Sequence, residues 1–133
     1  MTKKKMLLIF SHQLTDGQKD DAIKSLGIGG FLYMPANLQQ KWSQVPSETI
    51  SLKDYLKDIF DWILLNSVKD DYVLVQGDFG ATYITVDFCL LNSRIPIYAA
   101  AKRDIAEEYN DDGKIIIKRA FSHDRFKKYE RYV

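Results

Sequence analysis

The chain has 133 residues, 46% hydrophobic and 13% aromatic, and its 19 basic and 18 acidic side chains leave a net charge of +1. That length sets the expectation of one domain with its own core, and the apolar content excludes disorder throughout. The single cysteine, Cys89, excludes an intrachain disulfide and a cysteine-cluster zinc site.

The basic start, Met1 to Lys5, leads into only five apolar residues, Met6 to Phe10. That run is too short for a signal peptide or a membrane span, so a soluble, cytoplasmic protein is expected. Met6-Leu7-Leu8-Ile9-Phe10 instead suits a strand buried on both faces. Thr15-Asp16-Gly17-Gln18 reads as a capping box opening a helix, with Ala22, Ile23 and Leu26 as its apolar stripe and Gly27 or Gly29 as its end.

Phe31 to Met34 is the second predicted strand, stopped by Pro35. Residues 35–50 carry little regular pattern beyond a short helix around Asn37 to Trp42. Ser51 caps a longer helix whose apolar residues, Leu52, Tyr55, Leu56, Ile59, Phe60, Ile63 and Leu64, recur at helical spacing. Tyr72 to Val75 is the third strand, Ala81 to Asn92 an apolar helix, and Ile95 to Tyr98 the fourth strand. This βαβαβαβ order predicts a mainly parallel sheet with helices on both faces, an α/β architecture of Rossmann-like type. A hairpin then follows. Asn110-Asp111-Asp112-Gly113 is its turn, Ile115-Ile116-Ile117 marks the second arm, and 104–109 is the first arm, although Ile105-Ala106-Glu107-Glu108 would also suit a helix.

The near-neutral total conceals an asymmetry. Residues 1–113 hold 12 basic and 16 acidic side chains, a net of −4, and residues 114–133 hold 7 basic and 2 acidic, a net of +5. A basic end on an acidic body points to an anionic partner, although lysines on a solvated tail would produce the same count.

In open α/β sheets ligands bind beyond the carboxyl ends of the strands. Four segments therefore become candidates: Ser11-His12, Met34-Pro35, Gln76 to Gly80, and Ala99 to Arg103. Gln76-Gly77-Asp78-Phe79-Gly80-Ala81-Thr82 can present backbone N–H groups and the Thr82 hydroxyl to a phosphate at a helix N-terminus. The competing reading is a tight turn in which Asp78 caps the helix. No Walker loop, dinucleotide fingerprint, Gly-x-Ser-x-Gly elbow or metal-ligand spacing occurs. No metal or cofactor is expected.

Both histidines, His12 and His123, sit in Phe-Ser-His triplets and are candidates for proton transfer. Each would otherwise be an ordinary packed or surface residue. Lys102-Arg103 and Arg125-Phe126-Lys127-Lys128-Tyr129 interleave cations with rings, as a nucleotide or RNA clamp does. Cys89 reads as a small core residue.

Four segments together resemble the small Csx-twenty family found beside type III CRISPR systems. They are Leu8-Ile9-Phe10-Ser11-His12-Gln13-Leu14-Thr15, Tyr72 to Thr82, Ile95-Pro96-Ile97-Tyr98-Ala99, and Phe121 to Tyr129. The resemblance implies a domain related to the CARF sensors of cyclic oligoadenylates. It also implies ring-nuclease activity that ends antiviral signalling, and a homodimer with the ligand across its axis. Cyclic tetra-adenylate is the implied ligand.

For that chemistry the residues themselves offer His12, His123 and Arg103 as the catalytic candidates. Ser11, Gln76, Gly77, Asp78, Phe79, Gly80, Thr82, Lys102, Arg125 and Tyr129 are the ligand-binding candidates. No membrane and no DNA duplex is expected as a partner, since a duplex calls for a wide basic face. The competing classes are a non-catalytic sensor or sponge, an RNA binder or metal-dependent RNase, and a plain interaction module.

Overall fold

The computed structural model describes residues 3–133, apart from the side chains of residues 104–106 and 118–120. Lys118 and Arg119 of the basic end are thus outside the described side chains. The elements run β1 (Lys4–Ile9), α1 (Asp16–Leu26), β2 (Ile28–Tyr33), α2 (Ala36–Ser43), α3 (Leu52–Tyr55), α4 (Lys57–Asn66), β3 (Tyr72–Val75), α5 (Phe79–Leu91), β4 (Ile95–Tyr109) and β5 (Ile115–Lys128).

The strands form one mixed sheet in the order β2-β1-β3-β4-β5. The pairings β1 with β2, β1 with β3 and β3 with β4 are parallel. β4 and β5 are antiparallel. Buried on both faces, β1 needs apolar residues at successive positions, and Met6, Leu7, Leu8 and Ile9 are all fully buried. Leu7, Ile9, Val73 and Val75 pack under Leu38 and Trp42 of α2, Ile59 and Ile63 of α4, and Ala81 and Cys89 of α5. Met6, Leu8 and Leu74 face the other way, against Ala22 of α1 with Leu14 and Ile28. The expected two-sided α/β layering is therefore present, with one antiparallel edge strand.

Local signals account for most helix ends. Thr15 and Gln18 form the capping box at α1. Asp78 caps α5 by accepting from the Ala81 N–H at 3.0 Å, so this helix starts at Phe79, two residues before the expected Ala81. The helix expected from Ser51 is instead two pieces. Leu56, fully buried at φ −92° and ψ 6°, separates α3 from α4 while the Leu56 and Phe60 amides keep their bonds to Leu52 and Leu56. β2 begins at Ile28, three residues before the expected Phe31, because the chain enters the sheet directly after Gly27.

The largest revision concerns the end of the chain. The fourth strand and the first hairpin arm are one strand of 15 residues. The basic run from Arg125 is no tail as far as Lys128, because β5 pairs back along β4 from Tyr109↔Ile115 to Ile97↔Lys128. Long-range pairing settles the helix-or-strand choice at Glu107-Glu108 in favour of strand. The turn is closed by Asn110, whose Oδ1 accepts from the Asp112 and Lys114 amides at 3.1 and 2.8 Å, and by Gly113 at φ +76°.

Candidate functional site

The ordering of the strands creates a switch point between β1 and β3, where the chain departs to β2 on one side and returns on the other. The two strand ends are tied together by the Gln76 amide, which donates to the Ile9 carbonyl at 3.2 Å. Ser11 and His12 lie exposed beyond β1, and the His12 ring meets the Phe10 ring edge-on at 5.2 Å.

One strand further along, Gln76, Gly77, Phe79, Thr82, Tyr98 and Tyr129 line a cavity of about 290 Å³. Five of these six were expected in the site, and they come from segments fifty residues apart in the chain. Tyr129 reaches the cavity because its amide extends the β4–β5 pairing, donating to Pro96 O at 3.1 Å. Its hydroxyl donates to the Val75 carbonyl at 2.6 Å, and its ring sits 4.9 Å from the Tyr98 ring. Burial, followed by the neighbouring Tyr98, holds the Tyr129 phenol above its ordinary value. The same Phe79, Thr82 and Tyr129 open onto a longer groove of about 520 Å³ between α5 and Glu130-Arg131-Tyr132.

Several loop residues carry structural duties. The Gln76 side chain accepts from the Ala99 amide at 2.8 Å, and its carbonyl accepts from the Trp42 indole N–H at 2.9 Å. A Cβ on Gly77 would stand 2.5 Å from Trp42 Nε1, and one on Gly80 would stand 2.8 Å from Leu52 Cδ1. Asp78 places a carboxylate at the N-cap of α5, where a phosphate was expected. An anion there would meet like charge, so the loop is better suited to a base edge or ribose than to a phosphate. Thr82 Oγ1 is buried with no hydrogen-bond partner and belongs to a residue lining the cavity. Phe79 is 96% exposed at the cavity mouth.

The cations gather on the hairpin instead. Lys102 Nζ lies 3.5 Å from Asp124, and Arg125 Nε lies 3.1 Å from the same carboxylate. Arg103 stacks its guanidinium over the Phe121 ring at 5.4 Å. Arg125 faces Ala100 in the ladder, two residues along β4 from Tyr98, or roughly 7 Å at strand rise.

His123 lies on the α1 side. Its Nε2 is 2.8 Å from Asp21 Oδ2, its ring is 4.9 Å from that of Phe126, and its Nδ1 is buried without a partner. The hydrogen bond from Ser25, then that from His123, draws the Asp21 carboxyl below its ordinary value. Ser122 and His123 border a separate cavity of about 250 Å³ with Thr15, Gln18, Ala99 to Ala101 and Phe121. The histidines thus have different partners rather than one another. Cys89 is buried in the core, where desolvation pushes its thiol up to about 12.

Among the described residues no group of three His, Cys, Asp or Glu side chains is placed to hold a metal, and no helix is long and apolar enough to cross a membrane. Sequence reasoning missed Trp42, Tyr98, Asp21 and Asp124. Trp42 was visible only as a tryptophan in an irregular connection, and the other three acquire their roles from partners distant in sequence or from the bulge between Ala100 and Ala101.

Residues 4–127 match the family described as "Uncharacterized protein MJ1673 family". This chain belongs to the MJ1673 family. It is 48% identical to the MJ1673 protein of Methanocaldococcus jannaschii over 128 residues, covering 96% of this chain and 98% of the relative. No solved structure matches it. Family membership thus spans β1 to β5 and includes every residue of the site except Tyr129.

Proposed function

We propose that this protein is a ring nuclease of the type III CRISPR response, binding cyclic oligoadenylate on a Rossmann-like, CARF-related sheet and opening it without a metal. The observation that carries the reading is the cavity of Gln76, Gly77, Phe79, Thr82, Tyr98 and Tyr129 beside the cations of the hairpin. Three rings at its walls and mouth suit adenine, since stacking tolerates a planar base and a partly exposed ring leaves room for it. Lys102, Arg103 and Arg125 supply charge for the linking phosphates. The small net charge suits a compact cyclic ligand better than a long duplex.

In the proposed step the ribose 2′-oxygen attacks the adjacent phosphorus in line. The P–O5′ bond breaks, leaving a 2′,3′-cyclic phosphate and a 5′-hydroxyl. One proton leaves the 2′-OH and one reaches the departing oxygen, so no water or oxidant is consumed. His12 is the first candidate for one of these transfers, His123 the second, and Arg103 would offset charge in the transition state. A homodimer would double every group across a cyclic ligand.

The non-catalytic reading, a sensor or sponge, has its own support. Asp21 holds His123 on the α1 side and neither histidine lines the cavity of Tyr98 and Tyr129, so the stacking rings are gathered while the proton-transfer groups are not. Incubation with labelled cyclic tri-, tetra- and hexa-adenylate, with and without EDTA, separates the readings. Linear product that persists in EDTA and falls in His12→Ala is expected. Bound but intact ligand would establish the sponge, cleavage abolished by EDTA or seen only on linear RNA would favour an RNase, and absence of binding to all three rings would overturn the proposal.

A further inference from the structure

The hairpin outgrows the sheet that anchors it. β3 pairs with β4 only from Ile95 to Ile97, so from Tyr98 to Tyr109 β4 has β5 as its ladder partner and β5 closes the strand order. Twelve residues at strand rise reach roughly 40 Å, a two-stranded ribbon of a kind only marginally stable when solvated on all sides. Its far half exposes apolar side chains: Tyr109 is 71% exposed, Ile115 57%, Ile116 41% and Ile117 57%. Nearer its base Phe121 is 66% exposed.

Two further observations bear on its covering. The chain has 9136 Å² of accessible surface, whereas a compact monomer of its mass is expected to have about 7,200 Å². The surplus of about 1,900 Å² exceeds the roughly 800 Å² that each partner contributes to an ordinary stable interface. The ribbon is also polarised. Glu107, Glu108, Asp111 and Asp112 outnumber Lys114 at its tip, and Lys102, Arg103, Arg125, Lys127 and Lys128 outnumber Asp124 towards its base. Two such ribbons laid antiparallel about a twofold axis bring each acidic tip onto the other's basic base. A parallel arrangement would set like charges together.

We propose that the β4–β5 ribbon is the dimer interface of this protein. A second copy lies antiparallel along the outer edge of β5, so that the isoleucines are covered and each tip meets the partner's cations. Such a contact is isologous and closes at two copies, which also removes the long edge strand as a site for open-ended pairing. The inference deepens the homodimer part of the functional reading and does not depend on the ligand.

Sedimentation equilibrium without nucleotide tests it. The wild-type chain is expected to be a dimer at micromolar concentration. Ile115→Lys and Ile117→Lys, both exposed and outside the cores, should each weaken the dimer at least about tenfold while the circular dichroism melt of the body is retained. Asp111→Lys with Asp112→Lys should weaken it, as should Arg103→Glu with Arg125→Glu, and combining the four reversals should restore it. A wild-type monomer at tens of micromolar overturns the proposal. So does a dimer indifferent to the isoleucine changes but broken by Tyr83→Glu, which would place the contact on the exposed face of α5. Failure to bind cyclic oligoadenylate would leave a ribbon dimer standing, so the two proposals fail separately.

Discussion

The Trp42 indole N–H donates to the Gln76 carbonyl at 2.9 Å, and the same ring fills the space in which a Gly77 side chain would stand. The glycine of the loop is thus explained by a tryptophan 35 positions earlier. Trp42 is 1% exposed and cannot move aside cheaply. Gly77→Ala should destabilise the fold by about 1–3 kcal/mol through overpacking. Urea denaturation measures this, and a wild-type midpoint would show that the loop relaxes around the methyl group.

Tyr129 combines a ring in the cavity with a hydroxyl bonded to the Val75 carbonyl. Tyr129→Phe should cost about 0.5–1.5 kcal/mol, the usual net value of one such bond, and should keep nucleotide affinity within a few-fold. Tyr129→Ala should lose affinity as well. Calorimetric titration of the two variants with cyclic tetra-adenylate checks the distinction.

Thr82 buries an unpartnered hydroxyl at the cavity. Thr82→Val preserves shape and removes that polar atom. Its expected effect on thermal stability is neutral or slightly positive, because an unsatisfied group is lost. If the hydroxyl contacts ligand, affinity should fall about tenfold, roughly the worth of one hydrogen bond. Unchanged affinity would remove Thr82 from the binding set.

Asp124 holds Lys102 and Arg125. Asp124→Asn would leave both cations in place with more charge to offer a phosphate. Anion affinity should rise, and its dependence on salt should steepen. A fall in affinity would mean that Asp124 positions these cations more than it neutralises them.

The Asp21 carboxyl has a folded-state value below its ordinary 3.8. A lowered carboxylate value contributes stability that is present above the unfolded value and lost as pH falls through the folded one. Acid titration below pH 3.8 should therefore remove the contribution of the Asp21 contacts to Ser25 and His123. Asp21→Asn should be less stable than wild type near neutrality, and the gap should narrow in acid. A gap independent of pH would assign the loss to packing.

Much of the layout was legible because short-range rules govern it. The capping box at Thr15 and the Asp-Gly turn depend on neighbours a few residues away and appear where expected, and the helical spacing from Leu52 to Leu64 is present but divided at Leu56. The loop from Gln76 to Thr82 was legible for the same reason. Its partner Tyr98 was not, since nothing local marks a tyrosine in a strand as the wall of a cavity shared with Tyr129. The pairing of His123 with Asp21, 102 residues apart, was equally invisible.

The net charge of +1 shows the same division. Sequence alone determined that an acidic body precedes a basic end, because that count needs no geometry. Only the tertiary structure decided what the end is. Each residue of a strand contributes little until its partner is in register, so Arg125 to Lys128 does not declare itself locally, and Asp104 to Tyr109 reads as a hairpin arm only through the turn beside it. Pairing from Ile97↔Lys128 to Tyr109↔Ile115 turns the expected short strand and basic tail into one ribbon, and places Asp124 between two cations that composition had counted as free charge.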